Sequence, residues 1–370
     1  MTSHRFKTLD EARAGLAPFG FNDAQQSAFA ARAGDTASSN AVRGALVPLD
    51  DDAIVALPAL GSPERAALRE RGLALVKAGK VGVVVLAGGM ATRFGGVVKA
   101  IVPVLGERSF LQLKHDDVRA LGEAAGRPVP MFVMSSFATH EVIKAHVAER
   151  GLGGVEVFPQ KVAVRLTPSG ALFFDKDGHL SPYATGHGDL TAALRDSGVL
   201  GRFLAGGGQT LFMTNVDNLG ATIDPAMLAL HHDGGAAITA EVVRKLKGDA
   251  GGAPAVLDGV PQIIEGFRFP KDFDQTRIAV FNTNTFFLDA KAVDREFALP
   301  YYRVEKKVDG QPVIQFERLV GELTAFVPSR FVEVPRDGDD CRFIPVKEPE
   351  DLAAQRPLIE RVVASKRSLA

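Results

Sequence analysis

The chain has 370 residues, and its 43 Lys and Arg residues almost balance 44 Asp and Glu residues, leaving a formal net charge of −1. This balance provides no broad positive field for nucleic acid or an anionic membrane, so a small-molecule substrate is favoured. A single cysteine, Cys341, excludes an internal disulfide framework, and the polar start without any run of about 18 apolar residues predicts a cytoplasmic protein with no membrane span.

The first 75 residues or so are predicted to form a separate helical segment. Asn22 is a suitable N-cap for a helix that extends to Arg32. Ser62, followed by Pro63 and Glu64, is a stronger start signal, because it combines a cap, a first-turn proline and an acid near the positive helix end. A loop rich in Gly, Ser and Asn is expected between them, near residues 34–44.

From about residue 80 the pattern alternates between strands and helices, which is typical of a mainly parallel α/β sheet. Strands are predicted over residues 81–86, 129–134, 155–158, 210–214, 237–243 and 278–287, and helices after Thr139, from Asp224 and from Ala290. Asp-Gly pairs at 177–178 and 309–310 predict short hairpins. The tail from about Glu348 is expected to be an amphipathic helix.

The glycine-rich stretch after the first of these strands predicts a phosphate-binding loop. Gly88 and Gly89 can bring backbone N–H groups close to an anion, and Arg93 and Lys99 add positive charge. The spacing matches neither a Walker loop nor Gly-x-Gly-x-x-Gly. The alternative is a glycine-rich turn with two solvated cations.

Two further segments carry polar groups at predicted strand ends, where open α/β sheets bind ligands. Asn215, Asp217 and Asn218 follow one strand, and a carboxylate there suits Mg²⁺, which takes few protein oxygens beside substrate phosphates. The alternative is a turn in which Asp217 and Asn218 bond their own backbone. In the glycine-rich segment 186–189, His187 can donate to an anionic or hydroxylated ligand, unless this segment is only a flexible surface loop.

Taken together, these segments resemble eukaryotic-type UTP–glucose-1-phosphate uridylyltransferases from about residue 80 to 350. The resemblance rests on the ordered motifs Leu-Ala-Gly-Gly-Met-Ala-Thr at 86–92 with Lys99, Met-Ser-Ser-Phe at 134–137, Phe-Pro-Gln at 158–160 through to Arg165, Gly-His-Gly-Asp at 186–189, Asn-Val-Asp-Asn-Leu-Gly-Ala at 215–221, Phe-Asn-Thr-Asn at 281–284, Val-Ile-Gln-Phe-Glu at 313–317 and Arg-Phe-Ile-Pro-Val-Lys at 342–347. It implies a Rossmann-like, GT-A-like nucleotidyltransferase fold, with a catalytic domain at 76–347 between the segment 1–75 and a C-terminal helix at 348–370.

The resemblance also implies a reaction in which a sugar 1-phosphate attacks the α-phosphorus of UTP and expels pyrophosphate, without a covalent enzyme intermediate. Lys99 and Arg93 would hold the triphosphate and pyrophosphate, Asp217 would hold Mg²⁺, and Lys347 would bind the sugar phosphate. The implied nucleotide-binding residues are Leu86, Ala87, Gly88, Gly89, Gln160 and Gly188, and the implied sugar-binding residues are His187, Asn215, Gly252, Glu265 and Asn282. Glucose 1-phosphate is the expected substrate, with N-acetylglucosamine 1-phosphate or several sugar phosphates as the alternative.

The chain departs from the family pattern in three places. Ala91 stands where glycine is usual, and Val97 and Val98 stand where Gly-Pro usually precedes the lysine. The sequence also ends soon after Lys347 instead of continuing into a β-helix domain used in assembly, so the family's oligomeric behaviour is not carried over. Two other classes stay open, a metal-dependent glycosyltransferase and a non-catalytic nucleotide-sugar sensor.

Overall fold

A computed structural model describes residues 5–35, 40–249 and 251–365, apart from the side chains of Ala91 and Thr92. Its α-helices are α1 (Leu9–Leu16), α2 (Asp23–Arg32), α3 (Pro63–Lys77), α4 (Phe110–Ala125), α5 (His140–Glu149), α6 (Leu190–Asp196), α7 (Val199–Ala205), α8 (Pro225–Gly234) and α9 (Pro349–Ala364). In this part of the chain, no helix is both long enough and apolar enough to cross a lipid bilayer.

The strands are more numerous and include several short hairpins. In chain order they are β1 (Leu46–Pro48), β2 (Ile54–Ala56), β3 (Val81–Leu86), β4 (Met90–Ala91), β5 (Val97–Val98), β6 (Pro103–Leu105), β7 (Arg108–Ser109), β8 (Met131–Ser135), β9 (Val155–Pro159), β10 (Val162–Val164), β11 (Pro182–Ala184), β12 (Thr210–Asn215), β13 (Ile238–Arg244), β14 (Ala253–Leu257), β15 (Val260–Ile264), β16 (Val280–Asp289), β17 (Tyr302–Val308), β18 (Gln311–Glu317) and β19 (Ser329–Glu333).

The N-terminal segment contains the predicted helices but also strands. The side chains of Asn22 and Ser62 cap α2 and α3 as predicted, by accepting from the amides of Gln25 and Arg65. The segment is not helical throughout, because β1 and β2 lie between these helices. Strand β2 pairs in parallel with β19 at the edge of the main sheet, and α3 packs against α8. The segment is therefore joined to the rest of the fold, and the boundary near residue 75 stays a prediction. Part of the predicted glycine-rich loop, residues 36–39, lies outside the described residues.

The main sheet has eight strands in the order β2-β19-β13-β16-β12-β3-β8-β9. Strand β16 is antiparallel to both of its neighbours, and the other pairs are parallel, which confirms the predicted mainly parallel α/β sheet. The helix predicted from Ala290 is wrong. That segment forms turns instead, in which the side chain of Asp289 accepts from Ala292 N and its carbonyl accepts from Val293 N.

The core lies on both faces of this sheet, as the unbroken apolar run of β3 predicts. Val83 and Val85 belong to a cluster with side chains of α3, α4, α8 and α9, whereas Val84 and Leu86 belong to a cluster with α6 and α7. Burial of each such side chain contributes about 1.5–3 kcal/mol. The sheet is thus covered on both sides, and its strand ends are held rigidly.

The predicted hairpin at residues 309–310 is confirmed, and the C-terminal helix is α9. Asp309 and Gly310, with φ of 51° and 78°, form the turn between β17 and β18. Around Gly178 the chain forms only an isolated antiparallel bridge between Phe174 and Leu180. Residues 366–370 of the predicted C-terminal segment lie outside the described residues.

Candidate functional site

A cleft of about 400 Å³ opens at the carboxyl ends of the neighbouring parallel strands β12, β3 and β8. It is lined by Leu86, Gly88, Gly89, Lys99, Met134, Gln160, Ala184, Gly186, His187, Asn215, Val216, Asp217 and Glu317. The structure therefore brings most of the residues predicted to bind the nucleotide together with the two predicted phosphate and metal residues, Lys99 and Asp217.

The glycine loop after β3 is fixed from below by the loop after β8. Ala87 N donates to Met134 O at 2.8 Å, and Ser136 Oγ donates to Gly88 O at 2.8 Å. A Cβ at Gly88 would lie 2.3 Å from Gln160 Nε2, so a larger residue here would displace the end of the Gln160 side chain. Gln160 is only 7% exposed, and its backbone N–H is held by Ser135 O. The loop and Gln160 consequently form one wall of the cleft.

Lys99 and Asp217 form an ion pair inside the cleft. Lys99 Nζ lies 3.0 Å from Asp217 Oδ2, and their side chains are 12% and 28% exposed. The ammonium also lies 5.6 Å from the centre of the Phe94 ring, within reach of a cation–π contact. Each charge compensates the other at a position that a polyphosphate can reach. Arg93, by contrast, is 63% exposed, lies 3.5 Å from Glu348 and does not line the cleft.

The Asp217 turn is tied to the C-terminal part of the chain through Asn218. The Asn218 side chain accepts from Ile344 N at 2.9 Å and donates to Arg342 O at 3.3 Å, and it is only 2% exposed. Asp217 O accepts from Val346 N at 3.0 Å. Asn218 thus ties this turn to the C-terminal segment, while the side chain of its neighbour Asp217 faces the cleft.

Lys347 directly follows this bound segment but does not line the cleft. Its side chain is exposed, and its backbone N–H donates to Asp351 Oδ2 at 2.8 Å. The pKa of Asp249 is lowered by the Arg336 hydrogen bond and, to a smaller extent, by the charge of Lys347. Because Val346 N donates to Asp217 O, the backbone at Lys347 lies near the Asp217 turn.

A bound Mg²⁺ fits this arrangement only if substrate oxygens complete its shell. The described residues contain no cluster of three or more His, Cys, Asp or Glu side chains that could hold a metal alone. Mg²⁺ is commonly bound by one or two carboxylates together with substrate phosphates and water. The half-buried Asp217 carboxylate, facing the cleft opposite Lys99, meets that requirement.

His187 lines the cleft as a neutral hydrogen-bond donor. Its Nδ1 accepts from Val320 N at 3.1 Å, so the proton of the neutral ring is assigned to Nε2. Burial lowers the pKa of His187 to about 4. The ring is therefore uncharged at neutral pH and can donate one hydrogen bond to a ligand hydroxyl or phosphate.

The backbone N–H of Gly188, where a nucleotide contact is predicted, forms a hydrogen bond within the protein. Gly188 N donates to Arg318 O at 2.9 Å, and a Cβ at this position would lie 2.5 Å from Leu319 N. Glycine is needed here for close backbone packing. Gly186, two residues earlier, lines the cleft instead.

Three predicted sugar residues form a neighbouring group rather than the cleft wall. Asn282 N donates to Gly252 O at 2.8 Å, and a Cβ at Gly252 would lie 3.0 Å from Glu265 Oε2. Burial, and then the charge of Glu322, raise the pKa of Glu265 to about 7, while Arg268 opposes this shift.

A residue absent from the predicted site, Asn284, connects that group to the cleft. Its side-chain amide donates to Asn215 Oδ1 at 2.9 Å, and its backbone N–H donates to Asn282 Oδ1 at 3.0 Å. Its φ of 56° is left-handed, a conformation that asparagine tolerates better than most residues. The second asparagine of the Phe-Asn-Thr-Asn motif was the available sequence signal.

Glu317 is another cleft residue that the predicted site lacks. It lines the cleft at the end of β18, on the hairpin whose Asp-Gly turn the sequence predicted. Its position in the Val-Ile-Gln-Phe-Glu motif was a signal, but the motif alone did not show which side chain reaches a ligand.

Comparisons with known proteins give the family from the sequence and the fold from solved structures. UTP–glucose-1-phosphate uridylyltransferase 2 of Dictyostelium discoideum is 30% identical over an alignment of 296 positions, which covers 74% of this chain and 58% of the relative. This chain thus spans less than two thirds of that relative's length. Among solved structures, a UDP-glucose phosphorylase of Trypanosoma brucei superposes with a TM-score of 0.74 at 22% identity, covering 93% of this chain and 77% of the other. The UDP-N-acetylglucosamine pyrophosphorylase of the same organism superposes with a TM-score of 0.75 at 18% identity, covering 96% and 85%.

At these identities the two structures establish only the fold, a mainly parallel α/β sheet flanked by helices. The family is established by the sequence model of UTP–glucose-1-phosphate uridylyltransferases, which matches residues 26–360. That range includes all the strands of the main sheet and every residue that lines the cleft. The chain therefore belongs to the UTP–glucose-1-phosphate uridylyltransferase family.

Proposed function

We propose that the protein transfers the uridylyl group of UTP to glucose 1-phosphate, forming UDP-glucose and pyrophosphate. The observation that carries the proposal is the opposed pair Lys99 and Asp217 beside the glycine loop, in a chain whose family match covers residues 26–360. A phosphate oxygen of the sugar phosphate attacks the α-phosphorus of UTP, and the bond to the pyrophosphate oxygen breaks. Such a reaction depends on positioning and on neutralisation of phosphate charge.

The base is proposed to lie on the wall formed by Gly88 and Gln160. The Gln160 amide offers both a donor and an acceptor, as does the edge of uracil. Because Gln160 is buried and packed against Gly88, it cannot rearrange freely for another base. This supports selection of UTP over CTP and ATP.

The phosphates are proposed to bind between the Gly89 backbone and Lys99. A polyphosphate replaces Asp217 as the partner of the Lys99 ammonium, which leaves the Asp217 carboxylate available. Asp217 would then hold Mg²⁺, which, when bound, neutralises phosphate charge. Arg93, on the exposed side of the same loop, would approach the leaving pyrophosphate.

The sugar phosphate is proposed to enter from the side of Lys347. Lys347 supplies its positive charge, and the Asn218 turn fixes the chain that carries it relative to Asp217. The sugar hydroxyls would meet His187 and Asn215, with Asn282, Gly252 and Glu265 behind Asn215. The Asn284 hydrogen bond supports this arrangement, since it holds the Asn215 amide in place.

The proposal is tested by incubating the purified chain with UTP, Mg²⁺ and a panel of sugar 1-phosphates and measuring pyrophosphate release. We expect turnover with glucose 1-phosphate to exceed that with galactose, xylose and N-acetylglucosamine phosphates. A preference for N-acetylglucosamine 1-phosphate would instead indicate a UDP-N-acetylglucosamine pyrophosphorylase. Exchange of labelled pyrophosphate into UTP distinguishes this reaction from a glycosyltransferase, and UDP-sugar binding without any exchange would indicate a sensor.

A cytoplasmic location is part of the proposal. Its support is the cysteine content, because Cys341 is the single cysteine of the chain and is buried. A chain with one cysteine has no internal disulfide that would need an oxidising compartment.

A further inference from the structure

We propose that Glu317 selects ribonucleotides by accepting a hydrogen bond from a ribose hydroxyl of the uridine nucleotide. The inference rests on the proposed function, since it assigns the nucleoside end of the same cleft. It concerns a residue that the predicted site did not contain.

Glu317 lies on the same side of the cleft as Gln160. Thr185, beside the strand pair β10–β11, links the two through the backbone. Its N–H donates at 3.2 Å to the carbonyl of Lys161, which follows Gln160 in the chain. Its carbonyl accepts at 3.0 Å from the N–H of Arg318, which follows Glu317. Lys99 also lines this cleft, so a ligand that contacts both Gln160 and Lys99 shares the cleft with Glu317.

The Glu317 side chain is held in place by a partly buried chain of hydrogen bonds. Gln315 Nε2 donates to Glu317 Oε1, and Gln315 Oε1 accepts from Arg165 Nε at 2.9 Å. Arg165 is itself fixed by hydrogen bonds to Ser181 Oγ and Pro182 O, each at 3.0 Å. The contacts engage Oε1, so the carboxylate is oriented before a ligand arrives. An acceptor that is already oriented loses little side-chain entropy on binding.

The charge of Glu317 restricts what it can contact. A carboxylate repels phosphate, so its ligand partner has to be a hydrogen-bond donor. In the proposed complex the uracil edge pairs with Gln160, and the hexose lies toward Asn215 near the end of β12. The ribose hydroxyls are the donors between the base and the phosphates, and they are the groups that Glu317 is placed to accept from.

The experiment compares UTP with 2′-deoxy-UTP and 3′-deoxy-UTP at saturating glucose 1-phosphate. For the wild type, we expect kcat/KM to favour UTP over at least one deoxy analogue by about 10- to 100-fold, since a carboxylate is left without its donor. Glu317→Gln should reduce that ratio, because a neutral acceptor is weaker, and Glu317→Ala should bring it close to one. Glu305→Gln is the matched control, since Glu305 lies on the same hairpin but is exposed and pairs with Arg303. It should keep the wild-type ratio.

Two outcomes overturn the proposal. One is an unchanged preference for UTP in Glu317→Ala. The other is that the Glu317 variants still prefer UTP to the deoxy-UTPs but no longer prefer glucose 1-phosphate to its deoxyglucose analogues. That result would place Glu317 at the hexose. Thermal melts check that the variants fold, and if Glu317→Ala does not, Glu317→Gln carries the test.

A separate binding measurement keeps this proposal distinct from the proposed function. Calorimetric titration with UDP and 2′- or 3′-deoxy-UDP needs no turnover. If the protein makes no UDP-sugar but binds UDP more tightly than a deoxy analogue in a Glu317-dependent way, only the proposed reaction fails. If it turns over UTP and the variants bind UDP and both deoxy analogues with wild-type ratios, only the role of Glu317 fails.

Discussion

Replacement of Asp217 by asparagine should have opposite effects on UTP binding and on turnover. In the ligand-free structure, Asp217 competes with any phosphate for the ammonium of Lys99, because the two groups are 3.0 Å apart. The substitution keeps the size of the side chain but removes that competitor. It also removes the only described carboxylate placed opposite Lys99 to hold Mg²⁺.

The magnitude of the first effect follows from this distance. Two unit charges at 3.0 Å attract by about 1.4 kcal/mol at a dielectric constant of 80 and about 5.5 kcal/mol at 20. The Asp217 side chain is 28% exposed, so the lower value applies after solvent screening. We therefore expect UTP to bind Asp217→Asn about tenfold more tightly than the wild type when Mg²⁺ is absent.

Turnover with Mg²⁺ should instead fall by on the order of 10²-fold or more, as for loss of one preorganised electrostatic group. The assays are calorimetric titration of UTP in EDTA and steady-state pyrophosphate release in Mg²⁺, with thermal melts alongside. Asp116→Asn is a suitable control, because Asp116 pairs with Arg108 at 3.7 Å on helix α4, outside the cleft. Weaker UTP binding in EDTA, or wild-type turnover in Mg²⁺, would refute this account of the Lys99–Asp217 pair.

Three further predictions concern separate parts of the site. Lys99→Ala should weaken the binding of UTP and pyrophosphate, and Lys347→Ala should weaken the binding of the sugar 1-phosphate. Each substitution should lower kcat by about 10²–10³. Steady-state kinetics in both directions would show whether the losses divide between the substrates in this way. Gln160→Ala should lower the preference for UTP over CTP by about tenfold, measured as a ratio of kcat/KM, and an unchanged ratio would remove Gln160 from base recognition. Glu265 has a folded pKa of about 7, above its unfolded value, so its ionisation destabilises the fold as pH rises from about 4.5 through 7. Glu265→Gln should accordingly raise the Tm at pH 8 but leave it nearly unchanged at pH 4.5, and an equal shift at both would contradict the assignment.

The strand–loop unit at the centre of the site could be predicted from the sequence alone. The apolar run of β3 and the glycines after it are local signals, since the burial of a strand and the freedom of a glycine depend on residues next to one another. The sequence also predicted that Lys99 and Asp217 belong to one site. In a mainly parallel sheet, the carboxyl ends of the strands meet at one edge, whatever the order of the strands.

Which side chains meet at that edge of the sheet depends on the tertiary structure and could not be predicted from the local sequence. Strand β16 is antiparallel, and buried strands of either direction have similar residue types, so local sequence carries little information about direction. Through β16, Asn284 reaches Asn215, 69 positions away in the chain. Glu317 reaches the cleft for a similar reason, because the pairing of β18 with distant segments sets its position.

The same limit explains why the motifs did not show which of their groups line the cleft. The Gly188 amide donates to Arg318 O, and Lys347 is exposed and does not line the cleft. A motif records which residue types occur together, but a hydrogen bond or an ion pair depends on the position of its partner. Side-chain partners far apart in the chain are brought together by packing of the whole sheet and its helices, and that packing is what the local pattern does not contain.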